Sequence, residues 1–71
     1  MGTNPYEIRA VRFPRAADLA LTVGCSAATI SRLERGRFRR VGNRRRDLLR
    51  KLLEVVGQEY VDAILRIRRS P

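Results

Sequence analysis

Residues 19–36 read LALTVGCSAATISRLERG, and the rest of the chain is arranged around this stretch. Ala20 and Gly24 lie one helical turn apart, and small residues at this spacing would let another helix cross close by. Gly24 can also adopt the positive φ that closes a helix, and Ser26 is a preferred N-cap residue for the helix that follows. The stretch therefore predicts a helix, a tight turn and a second helix over residues 27–35.

The second helix of this pair would have two chemically different faces. At about 100° per residue, Thr29, Ile30 and Leu33 share one face, which would pack inward. The opposite face is small, polar or basic and holds Ala27, Ala28, Ser31, Arg32 and Arg35. A helix after a tight turn, with nothing bulky on its outer face, is the arrangement that enters a DNA major groove. An ordinary solvated surface helix would show the same polar face.

Residues 23–36 resemble the Cro/C1-type (XRE-like) helix-turn-helix family, whose common form reads L-A-x-x-L-G-V-S-x-x-T-I-S-R-I-E-R-G, and residues 4–12 are similar to its opening helix. The resemblance implies an all-α, lambda repressor-like bundle of about five short helices that binds double-stranded DNA as a homodimer. It also implies an ion pair between Arg12 and Glu34. The chain is about three residues shorter than the family before Leu19, so the family's phosphate-binding Gln has no clear counterpart.

The charge of the chain favours a polyanionic partner. Sixteen basic and seven acidic residues give a net charge of +9, and all but one of the basic residues are arginine. Arginine forms two parallel hydrogen bonds with phosphate or guanine, which suits nucleic acid. A GC-rich genome would also favour arginine over lysine, but it would not explain the net charge.

Composition argues against several other classes of protein. Seventy-one residues make one small domain, with no room for a separate ligand-sensing or cleavage domain. One Cys and no His make a zinc cluster or the usual general base unexpected, so we expect no enzyme activity, cofactor or small-molecule ligand. No apolar run suits a membrane span or a signal peptide, which predicts a cytoplasmic protein. Cys25 occupies an apolar position and is interpreted as a buried, unreactive thiol rather than a redox sensor.

The N-terminal region predicts a helix that continues to about Arg12. Asn4 would cap it, because Pro follows at the first helical position and Glu three residues after the cap. Ile8 and Val11 would then face the core. The alternation of apolar and charged residues over positions 6–10 leaves a strand as the alternative.

The basic segment at residues 37–46 has four possible interpretations. Six of its ten residues are arginine, which is typical of a solvated loop, a phosphate clamp or an arm in a narrow minor groove. A β-hairpin wing, as in small MerR-like excisionases, is the fourth. Phe38 could cap the core or form a dimer contact. Gly42 would make a turn, with Asn43 as the cap of the next helix.

The first helix of the helix-turn-helix is expected over residues 14–23, and two further helices over residues 44–56 and 58–68 complete the prediction. Residues 1–3 are expected to be frayed. The apolar stripe of the fourth helix comprises Leu48, Leu49, Leu52, Leu53, Val55 and Val56. That of the last helix comprises Val61, Ile64, Leu65 and Tyr60. These stripes are wide for a short chain, so they predict either a simple core or a core with a dimer seam.

The function predicted from these features is that of a small Cro-type transcription repressor from a phage or prokaryote. The predicted base contacts are Ala27, Ala28, Ser31 and Arg32, with Arg32 on guanine. The predicted backbone contacts are Arg15, Ser26, Arg35, Arg37, Arg39, Arg40 and Arg44. The alternatives are a DNA-bending excisionase and an antitoxin-type autoregulator that binds a partner protein. A helix at Arg44 favours the repressor, whereas strands at residues 38–46 favour the excisionase wing.

Overall fold

The chain is all-α, as predicted. A computed structural model describes residues 4–38 and 42–69, and within these ranges it contains five helices and no strand. The helices are α1 (Pro5–Ala10), α2 (Ala16–Val23), α3 (Ala27–Glu34), α4 (Asn43–Val55) and α5 (Gln58–Arg69). The expected fraying of residues 1–3 lies outside the described residues.

Helix α1 begins as predicted but ends earlier. The Asn4 side chain accepts a hydrogen bond from the Glu7 backbone N–H at 2.9 Å, so the helix and not the alternative strand is confirmed. The last helical residue is Ala10, and in the turn that follows the N–H groups of Arg12 and Phe13 both donate to the Arg9 carbonyl, at 3.1 and 2.8 Å. The expectation that Val11 faces the core is wrong, since its side chain is 85% exposed. Arg9 faces inward instead, and Val11 lies about 200° further round the helix.

The turn between α2 and α3 has the expected caps. Gly24 has φ of +82°, and the N–H groups of Gly24 and Cys25 both donate to the Ala20 carbonyl, at 2.8 and 2.9 Å. The Ser26 side chain accepts from the Thr29 N–H at 3.2 Å and so caps α3. Ala20 is buried, but the space beside Gly24 is open. Gly24 is therefore needed for its backbone conformation, and the predicted close helix crossing there is wrong. Helix α2 begins at Ala16 and not at position 14.

The core lies among α2, α3, α4 and α5. Its fully buried side chains include Leu19, Ile30, Leu33, Leu52, Tyr60 and Ile64. Helix α2 packs most extensively on α3, while α5 packs on α1, α3 and α4. Phe38 is 8% exposed, which confirms that it caps the core. Leu53 is 38% exposed, so its assignment to the apolar stripe of α4 is only partly correct.

Glycines set the limits of the C-terminal helices. Gly42 occupies the N-cap position of α4, and Asn43 is the first helical residue, so the prediction that Asn43 is the cap is wrong. Gly57, with φ of +126°, separates α4 from α5 as predicted. Position 44 is helical, although residues 39–41 lie outside the described part of the chain. In the described residues, no helix has the length and apolar character that crossing a bilayer requires.

Candidate nucleic-acid interface

Helix α3 carries the two faces that its sequence predicts. Ile30 and Leu33 are fully buried against the core, whereas Ala28 and Arg32 are exposed on the opposite side. We refer to this opposite side, made of Ala27, Ala28, Ser31, Arg32 and Arg35, as the outward face of α3. The described chain therefore presents the predicted reading residues to solvent, with Ala27 and Ser31 half-buried at the edges.

Three arginines lie on or beside the outward face of α3. Ser31 and Arg32 line a shallow depression of about 320 Å³, together with Ala28, Arg35 and Arg37. Three of the five lining residues are arginine and none is acidic. This depression has the charge expected of a surface that contacts phosphate or the acceptor edge of guanine.

The Ser26 hydroxyl is already hydrogen-bonded within the first turn of α3. Its hydroxyl oxygen lies 3.2 Å from the Thr29 backbone N and 2.9 Å from the Thr29 hydroxyl oxygen. The predicted capping role is confirmed, and the residue is exposed. Its contact with a DNA phosphate stays a prediction.

Arg15 lines a second depression of about 600 Å³, which adjoins the first because Ser31 and Arg35 line both. Its guanidinium donates two hydrogen bonds of 3.2 Å to Asp18. The Arg15 side chain is 80% exposed, and an exposed ion pair of this kind contributes only about 0–1 kcal/mol. A DNA phosphate could therefore replace Asp18 as the partner at little cost.

A buried polar network connects the C-terminal end of α3 to α1 and α5. Two nitrogens of the Arg9 guanidinium donate to the two carboxylate oxygens of Glu34, at 2.9 and 3.1 Å. The third nitrogen donates to the Phe13 carbonyl at 2.8 Å, and the Tyr60 hydroxyl donates to Glu34 at 2.8 Å. The side chains of Arg9 and Glu34 are only 3% and 7% exposed. Since the three charged or hydroxyl groups come from α1, α3 and α5, the network ties these helices together.

The expected pairing of Arg12 with Glu34 is wrong, because Arg9 occupies that position. Helix α1 ends at Ala10, so Arg12 lies in the following turn and donates to the Val55 carbonyl at 3.1 Å instead. No local pattern marks Arg9 as the buried arginine. In the structure Arg9 lies four residues after Pro5 and both are buried, so the two share the inner face of α1.

Both donors to Glu34 are held in their protonated forms. The hydrogen bond to Glu34 raises the pKa of the Arg9 guanidinium. Burial, followed by the hydrogen bond to Glu34, raises the pKa of the Tyr60 hydroxyl well above its ordinary value. Across the physiological range Tyr60 is thus a neutral donor to a carboxylate that already accepts from Arg9. Sequence reasoning placed Tyr60 in the core and missed this bond, since nothing local indicates a contact with Glu34.

Further arginines continue the basic surface beyond α3. Arg44 lines an open groove of about 510 Å³ at the start of α4, with Thr29 of α3 also in its wall. Arg37 is exposed next to the buried ring of Phe38. Arg39 and Arg40, which are predicted backbone contacts, lie outside the described residues.

The Cys25 thiol is free and half-buried, and burial raises its pKa. A raised pKa lowers the fraction of reactive thiolate at neutral pH. The described residues include no group of three or more His, Cys, Asp or Glu side chains placed to hold a metal ion.

Comparison with protein-family models, with curated proteins and with solved structures finds no match to this chain. The resemblance to the Cro/C1-type family over residues 19–36 therefore stays a prediction.

Proposed function

We propose that this protein is a small Cro-type transcription repressor that binds operator DNA with α3 in the major groove. The observation that carries the proposal is the outward face of α3, where small side chains and exposed arginines lie over a fully buried apolar face. A helix of this kind can approach base edges closely, because Ala28 and Ser31 leave room beside Arg32. The network of Arg9, Glu34 and Tyr60 would keep its orientation constant.

The side chains on this surface have different roles in the proposal. Arg32 reads guanine through two hydrogen bonds, which are worth about 1–3 kcal/mol of discrimination against the wrong base. Ala27 and Ala28 offer only methyl surface, which suits the thymine methyl group. Arg35 and Arg37 hold phosphates and set the position of the helix without reading sequence.

Few long side chains lie on the reading face, so specificity also depends on DNA shape and on the spacing of two half-sites. Two copies would bind half-sites about 34–36 Å apart, one turn of the DNA helix. We place this activity in the cytoplasm of a bacterium or of a phage-infected cell. The helical start of α4 at Asn43 supports the repressor over an excisionase wing, for which strands were expected in this region.

The test begins with selection of preferred sequences from a pool of random DNA duplexes. Binding of the selected duplex and of a scrambled duplex is then compared for wild type, Arg32→Ala and Arg37→Ala. We expect Arg32→Ala to lower the ratio of the two affinities by about tenfold, the loss of one bidentate base contact. Arg37→Ala should weaken both affinities alike and reduce the salt slope by about one.

Two outcomes would contradict the proposal. The first is that no sequence is enriched by the wild-type protein over several rounds of selection. The second is that Arg32→Ala and Arg37→Ala reduce specific and scrambled binding by the same factor, because Arg32 would then be only another phosphate contact.

A further inference from the structure

The aromatic ring of Tyr6, in the first turn of α1, lies against the guanidinium of Arg9. The guanidinium carbon is 4.8 Å from the ring centroid, and the tyrosine is still 55% exposed. Arg9 is itself held in place by its hydrogen bonds to Glu34 and to the Phe13 carbonyl. The attraction between a guanidinium and the face of an aromatic ring therefore fixes the position of an exposed side chain.

The fold makes no use of the Tyr6 hydroxyl. Within residues 4–38 and 42–69 this hydroxyl has no hydrogen-bond partner, whereas the hydroxyl of Tyr60 donates to Glu34 at 2.8 Å. A tyrosine hydroxyl can donate as well as accept a hydrogen bond. Tyrosine is enriched at interfaces because its ring supplies contact area while its hydroxyl finds a partner there. Tyr6 thus presents an unused donor on a ring whose position is already fixed.

Tyr6 lies on a surface that is continuous with the proposed reading face. It lines the depression of about 600 Å³ that Arg15, Ser31 and Arg35 also line. Ser31 and Arg35 belong to the outward face of α3 as well, where they line the first depression beside Arg32. A duplex that places one groove on α3 therefore has a strand close to the start of α1.

The charge around Tyr6 favours an anion. Three arginines line this depression, and two of them are paired, Arg9 with Glu34 and Arg15 with Asp18. In the part of the chain that the structure describes, Arg35 has no acidic partner. The depression therefore has a net positive charge, and a polyanionic strand is attracted to it.

We propose that the Tyr6 hydroxyl donates a hydrogen bond to one backbone phosphate of duplex DNA, which makes α1 part of the DNA interface. The inference rests on the proposed function and extends it from α3 to a second helix. A contact of this kind fixes the placement of α3 on the duplex and carries no sequence information. Because Arg9 holds the ring before binding, and tyrosine has only two side-chain torsions to fix, the contact costs little entropy.

The test compares wild type with Tyr6→Phe, which removes only the hydroxyl and keeps the ring against Arg9. Binding of fluorescently labelled duplexes is measured by anisotropy at several salt concentrations. Val11→Ala is the control, because Val11 directly follows α1, is 85% exposed and lines neither depression beside α3. Urea denaturation compares the stability of the three proteins, and we expect Tyr6→Phe to be as stable as wild type.

We expect Tyr6→Phe to weaken binding about three- to tenfold, by the same factor for specific and scrambled duplexes, for the loss of one hydrogen bond. The salt slope should stay the same, because a hydroxyl carries no charge and its phosphate contact releases no counterion. Val11→Ala should change neither the affinity nor the slope. A smaller salt slope for Tyr6→Phe would overturn the inference, because the substitution would then have displaced a charged contact.

Replacement of single phosphates identifies the acceptor. Each phosphate of the selected duplex is replaced in turn by an uncharged methylphosphonate. At one position the replacement should weaken wild-type binding more than it weakens binding of Tyr6→Phe, because the hydroxyl and that phosphate are coupled. If every replacement affects the two proteins by the same factor, the hydroxyl contacts no phosphate and the inference is wrong.

The outcomes separate this inference from the proposed function. If Arg32→Ala lowers sequence preference while Tyr6→Phe binds like wild type, the contact from α1 is overturned and the repressor proposal stands. If the wild-type protein binds all duplexes alike, but Tyr6→Phe weakens this binding without a change in stability or salt slope, the contact is supported and sequence-specific repression is not. Absence of any duplex binding by the wild-type protein overturns both.

Discussion

Replacing Arg9 by methionine should destabilise the fold more than any other single arginine substitution in the described chain. Methionine keeps the length of the aliphatic stem and removes the charge. Glu34 would then be left as a carboxylate that is 7% exposed, with Tyr60 as its remaining side-chain donor. Removing one partner of a buried ion pair typically costs about 3–5 kcal/mol.

This cost is large for a chain of 71 residues. At about 0.05–0.15 kcal/mol per residue, its total free energy of unfolding should be about 4–10 kcal/mol. Arg12→Met is the matched control, because Arg12 makes one exposed hydrogen bond to a backbone carbonyl. Loss of that bond should cost at most about 1.5 kcal/mol.

The assay is urea denaturation followed by far-ultraviolet circular dichroism, with the free energy of unfolding obtained by linear extrapolation. A second comparison adds Glu34→Gln to the Arg9→Met variant. The double variant should be less destabilised than the sum of the two single changes, since it no longer buries an uncompensated carboxylate. Equal losses for Arg9→Met and Arg12→Met, or a larger loss for Arg12→Met, would refute the assignment of Arg9 as the partner of Glu34.

Two further predictions concern Tyr60 and the glycine after α3. Tyr60→Phe should cost about 1.5–3 kcal/mol at neutral pH, for one hydrogen bond to a charged acceptor. Because the pKa of Tyr60 is raised on folding, its contribution is complete below about pH 10 and is lost as the pH rises above that value. Wild-type stability should therefore fall faster than that of Tyr60→Phe above pH 10, by up to about 1.4 kcal/mol per pH unit; parallel curves in denaturation at different pH would contradict this. Gly36→Ala should lower the thermal midpoint more than Gly24→Ala, although both glycines have positive φ, because only Gly36 has Ile67 within 2.7 Å of the added methyl group. If the two variants have equal thermal midpoints, backbone strain alone determines the loss of stability in both, and the contact with Ile67 adds nothing.

Local patterns predicted most of α2, α3 and the turn between them. Gly24 and Ser26 act through their own backbone and immediate neighbours, so their roles follow from residue type and position. The inward and outward faces of α3 follow from helical periodicity alone. The fold class was predictable for the same reason, because each helix carries its own apolar stripe and end signals.

Contacts between distant parts of the chain were not predictable in the same way. The partner of Glu34 depends on whether α1 ends at residue 10 or residue 12, a difference that local patterns do not resolve. The Tyr60 hydroxyl meets Glu34 across 26 residues. The stacking of Arg45 on Phe38 likewise depends on how α4 packs, so the basic segment could be interpreted only as generally phosphate-binding.

We propose that Arg32 reads guanine in the major groove, and replacement of single guanines in the DNA tests this contact. Each guanine of the selected duplex is replaced in turn by 7-deazaguanine, which lacks the major-groove N7 acceptor and preserves base pairing. We predict that at one position the replacement weakens wild-type binding about tenfold and leaves Arg32→Ala unaffected, so that the two changes are coupled. If every replacement weakens wild type and Arg32→Ala by the same factor, Arg32 does not contact a guanine N7, and α3 does not read the DNA sequence through this residue.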